Sequence, residues 1–131
     1  TELIRAVLEG VCYHLRWMLE CQARKLPVSD PVRFVGGGAL SPVTAQILAD
    51  VTGRAVQVTA SPQNAGSVGA AAVAGVGLGI VRDLDAAAGL IPVERTHTPC
   101  PANRAAYDQN YQVFQKLYPS NRALFRALNG G

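Results

Sequence analysis

Apolar positions in the first segment, Leu3, Ile4, Val7, Leu8, Val11, Cys12, Leu15, Met18 and Leu19, recur at helical spacing and share one broad face. The other side sets Arg5 against Glu9, Arg16 against Glu20 and Glu20 against Arg24 at i,i+4 spacing, the pattern of a solvated helix face. Pro27 and the Ser29-Asp30-Pro31 turn end the segment. The pattern then changes period. Val32–Val35 and Val56–Thr59 are short β-branched runs, which suit a pleated, half-buried surface and predict strands. Between them Val43, Ile47, Leu48 and Val51 predict a helix that stops before Gly53. Strand, helix, strand implies a right-handed parallel crossover.

A helix is expected from Ala65 to about Gly79, although nearly all its residues are small. Each glycine disfavours helix by roughly 0.8–1 kcal/mol, so close backbone approach to a neighbouring element is the expected compensation. Arg82 to Ala88 reads as a short helix ending at Gly89, and residues 91–101, punctuated by three prolines, as extended or looped. A final helix or helix pair runs from Asn103 towards Leu128, with Pro119 expected to kink or break it. Its aromatic stripe, including Tyr107, Tyr111 and Phe114, reads as core.

Composition narrows the class. The chain has 131 residues, 49% hydrophobic and 16% charged, enough for one folded domain with a real core. The net charge is +3, but the basic residues are scattered and form no aromatic-interleaved patch, which argues against nucleic-acid binding. The longest apolar run, Val68 to Val81, is shorter than the ~20 residues a membrane helix needs. Cys12, Cys21 and Cys100 show no metal or disulfide spacing, which fits a reducing compartment, and a cytoplasmic protein is expected. His14 falls on the charged side of the first helix and His97 in a loop, neither with a recognisable metal or catalytic partner.

The densest chemistry lies at Val32-Arg33-Phe34-Val35-Gly36-Gly37-Gly38-Ala39-Leu40-Ser41-Pro42. A strand breaks into glycines that let backbone approach a ligand, and a helix starts at once with Ser41 as N-cap and Pro42 at its first position. Strand, glycine turn and helix start together offer N–H groups and a positive dipole end to an anion or nucleotide. The segment is neither the dinucleotide fingerprint nor a Walker A loop. A tight strand-to-helix turn without a ligand is the competing reading.

Several segments in series resemble one family. A helix containing Ala-Val-Leu-Glu-Gly precedes the strand into Gly-Gly-Gly-Ala. Gln-Ile-Leu-Ala-Asp-Val-Thr-Gly, Pro-Gln-Asn-Ala-Gly-Ser-Val-Gly-Ala-Ala and a Tyr-rich helix follow. This order resembles the carboxy-terminal part of the FGGY carbohydrate kinases, most closely their xylulokinase-like members, over essentially the whole chain. The segment Glu2 to Glu9 resembles the tail of a family signature whose front half would precede Thr1, so residues 1–131 are expected to be one truncated domain.

The resemblance implies an α/β fold, a partial actin-like ATPase (ribonuclease H-like) domain with two short parallel strands among four or five helices. It assigns Gly37, Gly38 and Ala39 to backbone contact with nucleotide. Ser41 joins them as a binding candidate, because Ser41 or Pro42 stands where family members often carry an asparagine. The parent enzyme is expected to use ATP with Mg²⁺ on a ketose such as D-xylulose. Catalytic residues, sugar pocket and Asp-Gly-Thr phosphate loop would lie in the missing lobe, so no catalytic or metal residue is expected here and the chain by itself should be inactive. A fragment of another family member (glycerol, gluconate or ribulose kinase) and a non-catalytic α/β interaction domain are the alternatives. Two strands leave edges and apolar faces open, so association as a homodimer or with the missing part is expected.

Overall fold

A computed structural model describes residues 2–89 and 91–130; Thr1 lies outside them. Three strands form one mixed sheet in the order β1 (Val32–Phe34), β2 (Val56–Thr59), β3 (Val93–His97). β1 and β2 pair in parallel, with Val32 opposite Val56 and Phe34 opposite Val58. The two expected parallel strands are joined by a third, β3. It runs antiparallel to β2, with His97 opposite Val56, in a stretch whose prolines fall outside the paired residues. Pro92 still contributes, its carbonyl accepting from the Ala60 N–H at 3.1 Å. His97 therefore sits on a strand, its Nδ1 3.2 Å from Gln46 Oε1.

Among the described residues five helices accompany the sheet: α1 (Glu2–Ala23), α2 (Pro42–Thr52), α3 (Ala65–Gly77), α4 (Leu84–Gly89) and α5 (Arg104–Leu128). α2 is the central one. Ile47, Leu48, Ala49 and Val51 are buried with Val56 and Val58 of β2, Cys12 and Tyr13 of α1, and Tyr107 and Tyr111 of α5. The ends of α2 follow the sequence signals. Ser41 Oγ accepts from the Thr44 N–H at 3.2 Å, and Gly53 closes the helix at φ 67°, a left-handed conformation that favours glycine.

Asp50, 4% exposed, fixes α2 to the chain after β3. Its carboxylate accepts from the Cys100 N–H and the Gln46 amide on one oxygen, at 2.8 and 2.9 Å, and from the Asn103 amide on the other at 2.8 Å. The sequence gives no hint of this, because the partners lie four to fifty-three residues away.

The charged side of α1 is not uniformly solvated. Arg5–Glu9 is the expected exposed pair, at 2.8 Å. Arg16 is only 11% exposed, because α5 lies across it. It pairs with Glu20 at 2.9 Å and Asp108 at 2.6 Å, donates to the Val51 carbonyl at 3.0 Å, and stands 4.1 Å from the Tyr111 ring centre. Burial, then the hydrogen bond to Glu20, pushes the Tyr111 hydroxyl up to about 12.

Two further expectations change. α5 continues through Pro119 as one helix. Proline removes one backbone donor there, but Pro119 itself is exposed, and Asn121 donates to the Leu117 carbonyl at 2.8 Å. The close approach expected of α3 is confined to Gly75, where an added Cβ would lie 3.1 Å from Val81. No residue of α3 is buried, and nothing lies within 4 Å of a Cβ added at Gly66, Gly69 or Gly77.

The thiols make one testable contrast. Cys12 is 0% exposed and burial pushes its thiol up to about 11, whereas Cys21 and Cys100 are exposed. Thiolate is the reactive form. Iodoacetamide at pH 8 is therefore expected to alkylate Cys21 and Cys100 and to spare Cys12 until the protein unfolds, as read by peptide mass spectrometry. Native-state labelling of Cys12 at the same rate would mean that α1 detaches readily.

Candidate nucleotide-binding turn

Parallel pairing brings the carboxyl ends of β1 and β2 to the same edge of the sheet. Each strand there breaks into a 3₁₀ turn that leads into a helix: Gly37–Leu40 before α2, and Pro62–Asn64 before α3. In α/β sheets that edge is where ligands sit. The two turns touch, and the Gly36 N–H donates to the Pro62 carbonyl at 2.8 Å. Gly36 adopts φ 89°, ψ −176°, a region essentially confined to glycine. This reversal turns the chain out of β1.

The candidate residues are adjacent but differ in character. Gly37 and Gly38 are exposed, and nothing lies within 4 Å of a Cβ added at Gly37. At Gly38 an added Cβ would lie 3.2 Å from the Phe34 ring. Ala39 is 0% exposed, so its side chain is packing and its N–H is already bonded to the Gly36 carbonyl at 3.1 Å. Ser41 is half-buried, and its oxygen is committed to capping α2. Leading N–H groups of a helical turn have no partner within it, and Gly37 and Gly38 occupy that position here.

Sequence reasoning named site residues in the first turn alone, with the small-residue helix that follows expected beside the cleft. The structure sets Pro62, Gln63 and Asn64 against it, and Asn64 does not cap α3 with its side chain, which leaves the start of α3 open. The signal for this was the pair of parallel strands, whose ends must lie together. Leu40 and Val43, 54% and 63% exposed, add apolar surface beside the glycines, while 35–41 carries no charged residue. Such a set suits the neutral base and ribose of a nucleotide better than its phosphates. Among the described residues no group of three His, Cys, Asp or Glu is placed to hold a metal ion, and no helix is long and apolar enough to cross a membrane.

Strand, turn and helix in this order, repeated on a parallel pair, place the chain among α/β folds, and the solved structures that share its arrangement are kinases of the actin-like ATPase fold. Residues 1–78 match the FGGY family of carbohydrate kinases, C-terminal domain, and the chain belongs to that family. It is 34% identical over 122 residues to a probable L-xylulose kinase of Pasteurella multocida, covering 93% of this chain and 24% of that protein. It is 39% identical over 97 residues to an autoinducer-2 kinase of Salmonella paratyphi B, covering 73% and 18%. The crystal structure of xylulose kinase from Rhodospirillum rubrum superposes with a TM-score of 0.78 at 33% identity, covering 94% of this chain and 25% of that one. The chain thus spans about a quarter of the length of the relatives it matches.

Proposed function

We propose that this chain supplies the adenosine side of the ATP site in an ATP-dependent carbohydrate kinase. The whole protein transfers the γ-phosphoryl group of ATP to a hydroxyl of a ketose such as D-xylulose, releasing ADP and a proton. The observation that carries this reading is the uncharged, open glycine turn Gly36–Ala39 at the carboxyl edge of two parallel strands. Gly37 and Gly38 offer backbone to the nucleotide, Ala39 keeps the turn tight against the core, and Ser41 orients α2.

Phosphoryl transfer depends on positioning and on charge stabilisation by metal and donors. Bound Mg²⁺ would screen the phosphate charge, with ligands from outside these residues. The acceptor is set elsewhere too: relatives named for L-xylulose and for autoinducer-2 match this chain about equally well. The autoinducer-2 relatives favour a second acceptor class, a phosphorylatable signal molecule. ADP release by the intact protein, followed with ATP, Mg²⁺ and a panel of ketoses or autoinducer-2, tests the reading. Turnover with D-xylulose at the highest kcat/KM supports it. Turnover only with autoinducer-2 moves the acceptor, and no acceptor-dependent ADP release rejects the kinase assignment.

A further inference from the structure

The segments 34–49 and 55–81 contain no charged residue. At the edge where the two turns meet, this chain therefore offers a ligand only neutral groups. Most of the polar ones are already committed. Ser41 caps α2, Thr44 and Thr59 are buried, and the Gln46 amide donates to Asp50 and to the Thr98 carbonyl. Of the side chains left in the two turns, only Gln63 and Asn64 carry a donor and an acceptor side by side.

Asn64 is the better placed of the two. The Pro62 carbonyl accepts from the Gly36 N–H of the first turn and from the Ala65 N–H that ends the second. Two bonds of about 3 Å on one oxygen hold those nitrogens no more than about 6 Å apart. Asn64 directly precedes Ala65, and its own N–H donates to the Ser61 carbonyl at 2.9 Å. Its backbone is thus pinned on both sides, close to the glycine turn. The side chain stays out of the helix. An N-cap side chain reaches the first helical N–H groups from an extended backbone. Here the 3₁₀ turn runs straight into α3 and leaves Asn64 at φ −96°, ψ 1°, exposed and not capping. Gln63 would have to freeze one more rotatable bond to do the same work.

We propose that Asn64 reads the base of the bound nucleotide, its Nδ2 donating to N7 of adenine and its Oδ1 accepting from the N6 amine. The inference rests on the kinase reading and deepens it, because it makes the choice of adenine over guanine a property of this chain. Adenine presents an acceptor at N7 beside a donor at N6, which a planar amide matches with two bonds. Guanine presents acceptors at both N7 and O6, so the amide oxygen there faces another acceptor. A site built to make both bonds rejects a base that can make only one. The open backbone at Gly37, with nothing within 4 Å of an added Cβ, leaves room for the flat face of the base.

The test is kcat/KM of the intact protein for ATP, GTP and 7-deaza-ATP, which lacks only the N7 acceptor, in the parent and in Asn64→Ala. Asn64 is exposed, so alanine there leaves the core untouched. The parent is expected to prefer ATP over both analogues. Asn64→Ala is expected to lower the ATP-to-GTP ratio about tenfold, as loss of one bidentate amide does, and the ATP-to-7-deaza-ATP ratio by a smaller factor. Ratios that do not move overturn the proposal. So does an equal loss for all three nucleotides, which would mean that Asn64 holds the ribose or the turn. The same shift produced by Gln63→Ala, with Asn64→Ala silent, gives the role to the other amide and also overturns it. Gly36→Val keeps the two readings apart. A KM for ATP that rises in Gly36→Val, beside ratios indifferent to Asn64→Ala, rejects base reading by Asn64 and leaves the kinase reading standing. A parent that turns over no nucleotide rejects both.

Discussion

Replacing Gly36 with valine is expected to raise KM for ATP in the intact enzyme at least tenfold, with the KM for sugar unchanged. The glycine holds φ 89°, ψ −176°, and the space around it is open, so the effect is conformational and not a clash. A β-branched residue held there costs about 1–3 kcal/mol, and the chain relieves it by rotating the peptide that follows. That peptide leads to the Gly37 and Gly38 amides. The same rotation strains the bond that the Gly36 carbonyl accepts from the Ala39 N–H, which closes the turn. Gly37→Ala separates geometry from contact, since a methyl group fits at Gly37 without touching the protein. If nucleotide backs onto this turn, Gly37→Ala also weakens ATP, by an intermediate factor. Steady-state kinetics on folded variants checks both, and an unchanged KM for ATP in both would remove the turn from the nucleotide's path.

Asp50→Ala is expected to cost about 2–4 kcal/mol of stability, among the largest losses available to one side chain outside the apolar core. The carboxylate is the common acceptor for the Cys100 N–H and for the Asn103 and Gln46 amides. Alanine removes the acceptor of the Cys100 N–H and of the Asn103 amide in a site where Asp50 itself is nearly inaccessible, while Gln46 keeps its bond to the Thr98 carbonyl. It also frees the start of α5 from α2. Asp50→Asn keeps one acceptor oxygen and turns the other into a donor facing a donor, so its loss should be smaller but not small. Urea unfolding of the parent and both variants gives the order. Equal stability for Asp50→Ala would show that Asp50 is not what joins α2 to the chain after β3.

Local signals carried much of the fold. The helix over residues 42–52 was legible from both of its ends, Ser41-Pro42 and Gly53, because caps are chemistry within a few residues. The two parallel strands were legible from their β-branched runs. β3 was not, because Val93-Glu94-Arg95-Thr96-His97 has only one large apolar residue and is stabilised by pairing to β2. Arg16 was misread for the same reason: i,i+4 spacing reveals its bond to Glu20 but not the α5 carboxylate at Asp108 that comes from 92 residues away. Of the candidate site, the glycine turn was visible in sequence. Its neighbour at Pro62–Asn64 was not, since only the parallel register places the two strand ends together. The small residues of α3 are the clearest case of a sequence pattern that packs little among the described residues, where only Gly75 is closely approached.

Hydrogen exchange of the intact protein with and without a non-hydrolysable ATP analogue tests the central claim most directly. Slowed amide exchange in the peptides spanning 36–41 and 62–66, absent when tripolyphosphate replaces the analogue, is the result predicted for an adenosine site built on these turns. Saturating nucleotide binding that leaves both peptides unchanged would contradict it.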